Sequence, residues 1–253
     1  MNRKFLYVSC LMFLLSFAFV NSSKSVEYLV GVEELSYFPH YSSDNGNYGG
    51  FARDLLDAFA KYKGISFKYE IRPLKRLFGD FLDEQLDFKY PDNPYWQADL
   101  KKEKNKKVIY SDPIVDYIDG VVVLPENKGA GIKKLKLLGI VGGFTAWNYL
   151  AQIKSGEVKV EDSVTSDALL KKVIAKRNDG AYANVAVAKY QLEKVLNQPN
   201  ALVFDPDLPH TKSSYLLSTI KHPGLMEDFN KFLKEKKDLV DEIKKKYQVQ
   251  QAE

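Results

Sequence analysis

Cysteine is almost missing from this 253-residue chain: its single copy, Cys10, lies inside an apolar amino-terminal run. The rest of the chain can therefore have no disulfide, no thiol nucleophile and no thiolate metal site. Cys10 also comes too early in that run to suit lipid attachment. Histidine is nearly as scarce, and His40, His210 and His222 have no metal-ligating spacing. No Gly-x-Ser-x-Gly elbow, phosphate-cradling glycine loop, internal repeat or low-complexity tract is found. No cofactor or metal is implied. Beyond the amino terminus, no apolar run approaches the roughly 20 residues of a spanning helix. A strong charge of either sign is lacking too: 37 Lys and Arg face 33 Asp and Glu. That balance gives no bulk electrostatic drive towards nucleic acid.

What is present begins with an export signal. Arg3 and Lys4 precede a nearly uncharged stretch from residue 5 to 20, and Val20 and Ser22 offer small side chains for cleavage after Ser22 or Ser23. Residues 1–23 read as a cleaved signal peptide, which places the mature protein in the periplasm. The run is short for a membrane anchor. About 230 residues remain, enough for one large domain or two medium ones. Lysines gather at 101–107, 133–136 and 231–246, the pattern of solvated helix faces and loops.

Periodicity predicts alternating strands and helices. Residues 28–32 form a first strand and 33–49 a polar loop. Phe51, Leu55, Leu56, Phe59 and Ala60 recur at helical spacing before Gly64. A strand over 66–71 is followed by a helix that Pro73 can start, with Leu74, Leu77, Phe78, Phe81 and Leu82 on its inner face. A short strand over 88–90 ends at Pro91. A second unit repeats the alternation: strands at 138–141, 158–160 and 180–184, helices at 145–153, 168–175 and 185–195, with Ser166 and Asp167 as a cap. Further strands at 202–204 and 215–218 precede an amphipathic helix bearing Leu225, Phe229, Phe232 and Leu233. This alternation is the signature of parallel sheets covered by helices, an α/β fold.

Three motifs in order sharpen the reading. Gly50-Phe51-x-x-Asp54-Leu55 opens a helix, Tyr110-Ser111-x-Pro113 follows a polar loop, and Gly143-x-Thr145 follows a buried strand. Asp87 ends a further partial match, with Glu84 or Gln85 where a glycine is expected. With these motifs the chain resembles the family 3 extracellular solute-binding proteins, which have the type II periplasmic binding fold of polar amino-acid receptors. The resemblance implies two lobes, each a mainly parallel sheet flanked by helices, joined by two hinge strands. Lobe 1 would be residues 24–116 and 208–253, and lobe 2 residues 117–207. The hinges would lie near 115–119 and 207–211. It implies a monomer that closes on a small-molecule ligand and serves an inner-membrane ABC permease or a membrane sensor protein.

Two departures from the family pattern bear on the ligand. The stretch from 92 to 107 has no arginine where the resemblance leads one to expect a carboxylate clamp. Asn184 stands where an amino-binding aspartate is expected. An ordinary α-amino acid ligand is therefore doubtful. Candidate ligand-binding residues are Tyr37 and Phe38 in the loop after the first strand, and Tyr90, Asp92 and Asn93 at the carboxyl end of the third. Arg76 is a replacement clamp, Ser111 and Thr145 are hydroxyl donors, and Tyr182 and Asn184 end a strand of the second lobe. Each has a structural alternative, such as an Asx turn at Asp92 or a surface ion pair at Arg76. His40 is a weaker candidate, and Trp96 is a cleft wall or a core plug. No catalytic residue stands out. A lyase on the same fold, such as a cyclohexadienyl dehydratase-like enzyme, is the alternative, with Asp92 and Arg76 as its acid and its grip.

Overall fold

The structure, a computed structural model, describes residues 25–249. The expected signal peptide lies outside that range. The first half runs β1 (Glu27–Glu33), a small hairpin of β2 (Ser36–Tyr37) and β3 (Tyr41–Ser42), α1 (Phe51–Lys63), β4 (Ser66–Arg72), α2 (Leu74–Leu82), β5 (Phe88–Asp92) and α3 (Ala98–Glu103). Then come β6 (Ile109–Tyr110) and the long β7 (Val115–Val123). The second half contains β8 (Leu137–Val141), α4 (Leu150–Ser155), β9 (Lys159–Ser163), α5 (Ser166–Ile174), β10 (Gly180–Asn184), α6 (Val185–Tyr190) and β11 (Val203–Phe204). The chain ends with β12 (Thr211–Thr219), α7 (Pro223–Glu235) and α8 (Lys237–Tyr247). Among the described residues no helix is long and apolar enough to cross a membrane.

Apart from the β2–β3 hairpin, the described strands form one curled sheet whose main path is β4-β1-β5-β12-β7-β10-β8-β9, with β11 pairing β7 and β6 pairing β12. At one end β4, β1 and β5 are parallel; at the other, β10, β8 and β9 are parallel. The two groups meet through the antiparallel pair β7 and β12, in which Val115 to Asp119 run against Tyr215 to Thr211. The first group packs Val30, Val32 and Phe88 against Phe51, Leu55 and Phe59 of α1 and against Phe229 and Phe232 of α7. The second buries Leu138, Tyr149 and Tyr182 on one face and Leu169, Val173 and Leu192 on the other. Such parallel groups, buried on both faces, need helical cover, which explains their apolar runs.

Local chemistry accounts for the helix ends. Gly50 precedes α1 at φ 93°, where a Cβ would come within 2.8 Å of the Tyr41 Cα. Only glycine fits that approach. Gly64 ends α1 in the left-handed region, its N–H returning to the carbonyls of Ala60 and Lys61. Asp54 in the first turn of α1 accepts from Lys246 Nζ at 2.6 Å and Tyr247 Oη at 2.9 Å, which docks the carboxy-terminal helix on the first half. Asp87 ties β1 to the start of α7. Its Oδ2 accepts from the Leu29 N–H at 2.7 Å, and its Oδ1 takes Lys221 at 2.6 Å and His222 at 2.9 Å. Burial pushes its pKa up, but these donors outweigh burial and hold it below the ordinary carboxylate value.

Several local expectations are corrected. Pro91 does not end β5, which runs on to Asp92. The ladder absorbs it as a bulge: Lys89 pairs with Ser218 and Asp92 with Leu216, so two residues of β5 face Leu217 alone. Lys101 is not solvated, because α3 turns it into the interior, where it is 8% exposed. Thr145 does not open a helix; a turn and a short 3-10 segment (Trp147–Tyr149) precede α4. The cap of α5 is Thr165, whose Oγ1 accepts from Ala168 N at 3.4 Å. The polar loop after β1 carries the β2–β3 hairpin.

Candidate ligand-binding cleft

The carboxyl ends of both parallel groups point towards the β7–β12 junction, and a cavity of about 90 Å³ lies there. Crevices outside the carboxyl ends of parallel strands are where α/β sheets bind ligands. The first half supplies Glu33 from the end of β1, Tyr37 and Tyr41 from the hairpin, Phe78 from α2 and Trp96 after β5. The second supplies Phe144, Thr145 and Trp147 from the turn after β8, and Tyr182 and Asn184 from the end of β10. Asp119 of β7 and Tyr215 of β12 line it where the strands cross. The halves touch over it: the Tyr37 and Phe144 rings meet edge to face at 5.7 Å.

Rings and carboxylates dominate the electrostatics. Tyr117 and Tyr215 stack at 4.3 Å, and Trp96 meets Tyr215 edge-on at 5.9 Å. Glu33 is buried and accepts from the Tyr41 hydroxyl. Burial raises its pKa, against the opposing pull of Lys89 and of that hydrogen bond. Asp119 is pushed up to about 7, again by burial, with the Asn184 side chain pulling the other way. Its Oδ1 is buried without a hydrogen-bond partner. Behind Tyr37, His40 is fully buried, edge-on to Tyr215 at 5.1 Å; burial lowers it to about 4.

Four of the ten sequence candidates line the cavity: Tyr37, Thr145, Tyr182 and Asn184. Asn184 is also the cap of α6, with Oδ1 accepting from Ala186 N at 3.0 Å and Val187 N at 3.1 Å, and Nδ2 donating to Tyr215 Oη at 3.3 Å. The other six lie elsewhere. Phe38 packs on Tyr190 at 4.6 Å and Tyr247 at 5.7 Å, in a separate groove. Arg76 is exposed and pairs with Asp80 at 3.2 Å, one helical turn on. Tyr90 is a core side chain. Asp92 is buried, with its Oδ1 3.1 Å from Lys101 Nζ and 3.6 Å from Lys89 Nζ, and its Oδ2 accepting from Ser218 at 2.7 Å. Asn93 donates to Ser213 Oγ at 3.0 Å and to the Ser214 carbonyl at 3.2 Å. Ser111 accepts from Leu217 N at 3.0 Å, serving the strand residue that the bulge at Pro91 leaves over.

Sequence reasoning missed Glu33, Asp119, Phe144, Trp147 and Tyr215, and left Trp96 open between wall and plug. Two of these carried a signal. Glu33 directly follows the apolar run from Tyr28 to Val32, and Asp119 lies between Ile118 and the run from Gly120 to Val123, placements that ask for a reason.

Fold and cleft together define a class: a two-lobed binding protein of the type II periplasmic kind. The chain belongs to the bacterial extracellular solute-binding proteins, family 3, whose model matches residues 29–250. Among similar solved structures is the arginine-, lysine-, histidine-binding protein ArtJ of Geobacillus stearothermophilus, with TM-score 0.67 and 19% identity over 87% of this chain and 94% of that one. A histidine kinase sensor domain superposes with TM-score 0.70 at 17% identity, covering 88% of this chain and 96% of that one. The ancestral amino acid-binding protein AncCDT-1, a precursor of cyclohexadienyl dehydratase, gives 0.65 at 20% identity, covering 87% and 95%. These likenesses establish the fold. No curated protein sequence matches the chain.

Proposed function

We propose that the protein is exported to the periplasm and captures a small polar solute in this cleft. Two lobes, residues 24–116 with 208–253 and residues 117–207, close about β7 and β12. The loaded form then serves an inner-membrane ABC permease or a membrane sensor protein. The observation that carries the reading is the composition of the cavity wall: side chains from both halves of the sheet face one space at the pair of strands, β7 and β12, that joins them. A solute held by both sides favours the closed arrangement through contacts that the open one lacks. An ordinary α-amino acid is disfavoured, because among the described residues no arginine or lysine lines the cavity to grip a carboxylate. The same lack weighs against a lyase acting on an organic acid, although Asp119 has the raised pKa of a proton donor.

The test is a thermal-shift screen of the purified protein against amino acids, amines, organic acids and sugars. Mass spectrometry of the solute after incubation belongs to the same experiment. A binding protein is stabilised and returns its solute unchanged; a solute at 100 times its Kd adds about 2.7 kcal/mol. The Ala183→Phe variant, which fills the cleft from β10, should abolish the stabilisation. A solute that is converted points to the enzyme instead.

A further inference from the structure

We infer that the captured solute is an organic cation without a carboxylate, an amine or a quaternary ammonium, whose charged centre sits against Asp119 within a wall of aromatic rings. The inference rests on the capture reading above and narrows it to a ligand class.

The charges that face the cavity have one sign. Glu33 and Asp119 line it, and no arginine or lysine does so among the described residues. Two buried ammonium groups do lie close by, on Lys89 and Lys101, but both are committed elsewhere. Lys89 Nζ is 3.6 Å from Asp92 and donates to the Pro91 carbonyl at 2.5 Å. Lys101 Nζ is 3.1 Å from Asp92 and donates to the Asn93 carbonyl at 2.8 Å. The Phe78 ring, itself part of the cavity wall, lies 4.0 Å from Lys89 Nζ and 5.6 Å from Lys101 Nζ. Two lysines therefore share one buried aspartate. The field of Lys89 reaches Glu33, which leaves Asp119 as the carboxylate with no compensating cation.

Asp119 is also poorly satisfied. It takes part in no ion pair among the described residues, and its Oδ1 is buried without a donor. A buried acceptor in that state is costly unless a partner arrives, and a cation is the partner that gains most. The rest of the wall suits the same guest. Tyr37, Trp96, Phe144, Trp147, Tyr182 and Tyr215 present rings around the space. Ring faces attract a cation, the more strongly when water is excluded. A carboxylate would instead meet two acidic side chains and ring faces of the wrong sign. Methylated or alkylated nitrogen, bulky and weakly hydrated, fills such a box well.

Matched pairs separate the classes. Calorimetric titration would compare agmatine with arginine, cadaverine with lysine, histamine with histidine and tyramine with tyrosine. Choline, tetramethylammonium, glutarate and glucose complete the set. The expected result is that at least one amine or quaternary ammonium binds, at least tenfold more tightly than any amino-acid counterpart. Asp119→Asn should then weaken it at least tenfold without lowering the melting temperature, and Phe144→Leu should weaken it three- to tenfold. An acid, a sugar or an intact amino acid that binds at least as well, and is lost in Ala183→Phe, overturns the cation assignment while solute capture stands. An amine that binds Asp119→Asn and Asp119→Ala as tightly as the parent also overturns it. If no solute of any class binds, both the assignment and the capture reading fall.

Discussion

Asp119 and Asn184 are direct partners in the antiparallel ladder between β7 and β10, and Thr211 of β12 pairs with Asp119 from the other side. The carboxylate is thereby fixed at the junction of the two halves, with a helix cap beside it. Its Oδ1 is buried there without a hydrogen-bond partner. Its surroundings therefore set its titration.

That placement makes stability depend on pH through Asp119. Its folded pKa is about 7 against an ordinary 3.8, so between those values the folded state holds a proton that the unfolded state has lost. Stability from this group therefore falls as pH rises from about 4 to about 7. Asp119→Asn removes the penalty. Urea unfolding should show the variant more stable than the parent at pH 8, by at most about 4 kcal/mol, with the difference vanishing near pH 4.

His40 acts in the opposite direction. Burial holds it at about 4 in the folded state, below its ordinary 6.5. The unfolded chain takes up a proton first, so stability is lost as pH falls from about 6.5 to about 4. His40→Phe should flatten that acid limb, recovering up to about 3 kcal/mol at pH 4. Melting temperatures measured from pH 4 to 7 would show whether the slope persists.

Asp92 is a structural residue. It sits between Lys89 and Lys101 with neither oxygen facing the cleft. Removing one partner of a buried charge cluster leaves the others uncompensated, at roughly 3–5 kcal/mol. Asp92→Ala should unfold at markedly lower denaturant. Solute affinity, measured where the variant is still folded, should be near that of the parent.

Asn184 combines two tasks. Asn184→Ala loses the cap of α6 and should cost about 1 kcal/mol in stability. It also frees the Tyr215 hydroxyl in the cleft and should weaken solute binding. Asn184→Ser keeps a cap acceptor without setting a second carboxylate beside Asp119, so its stability loss should be smaller than that of the alanine variant in denaturant titrations.

Periodicity and punctuation made most of the fold legible in the sequence. The apolar spacing from Phe51 to Ala60 with Gly64 as stop predicts the observed helix closely, and the strand at 180–184 has the bounds that were expected. These are local signals, set by side-chain period and by the one residue that tolerates the left-handed turn. The candidate site was legible only in part. Tyr37, Thr145, Tyr182 and Asn184 fall at strand ends that topology aims at the cleft. Arg76 and Asp92 are candidates by type and position as well, with a surface ion pair and an Asx turn as their alternatives, and in the structure Arg76 pairs with Asp80 and Asp92 with Lys89 and Lys101.

What this chain decided by itself is therefore its alternation of strands and helices, its family motifs and the lack of a carboxylate-gripping arginine after β5. Only the tertiary structure decided which charges remain unmatched. Lys89 and Lys101 converge on Asp92 from β5 and α3, whereas Asp119, paired in the sheet with β10 and β12, takes part in no ion pair among the described residues. Pairing depends on distances of a few ångströms between residues far apart in the chain, and Coulomb energy in a buried site changes steeply over that range. Composition counts the charges, but packing determines which of them face the cavity.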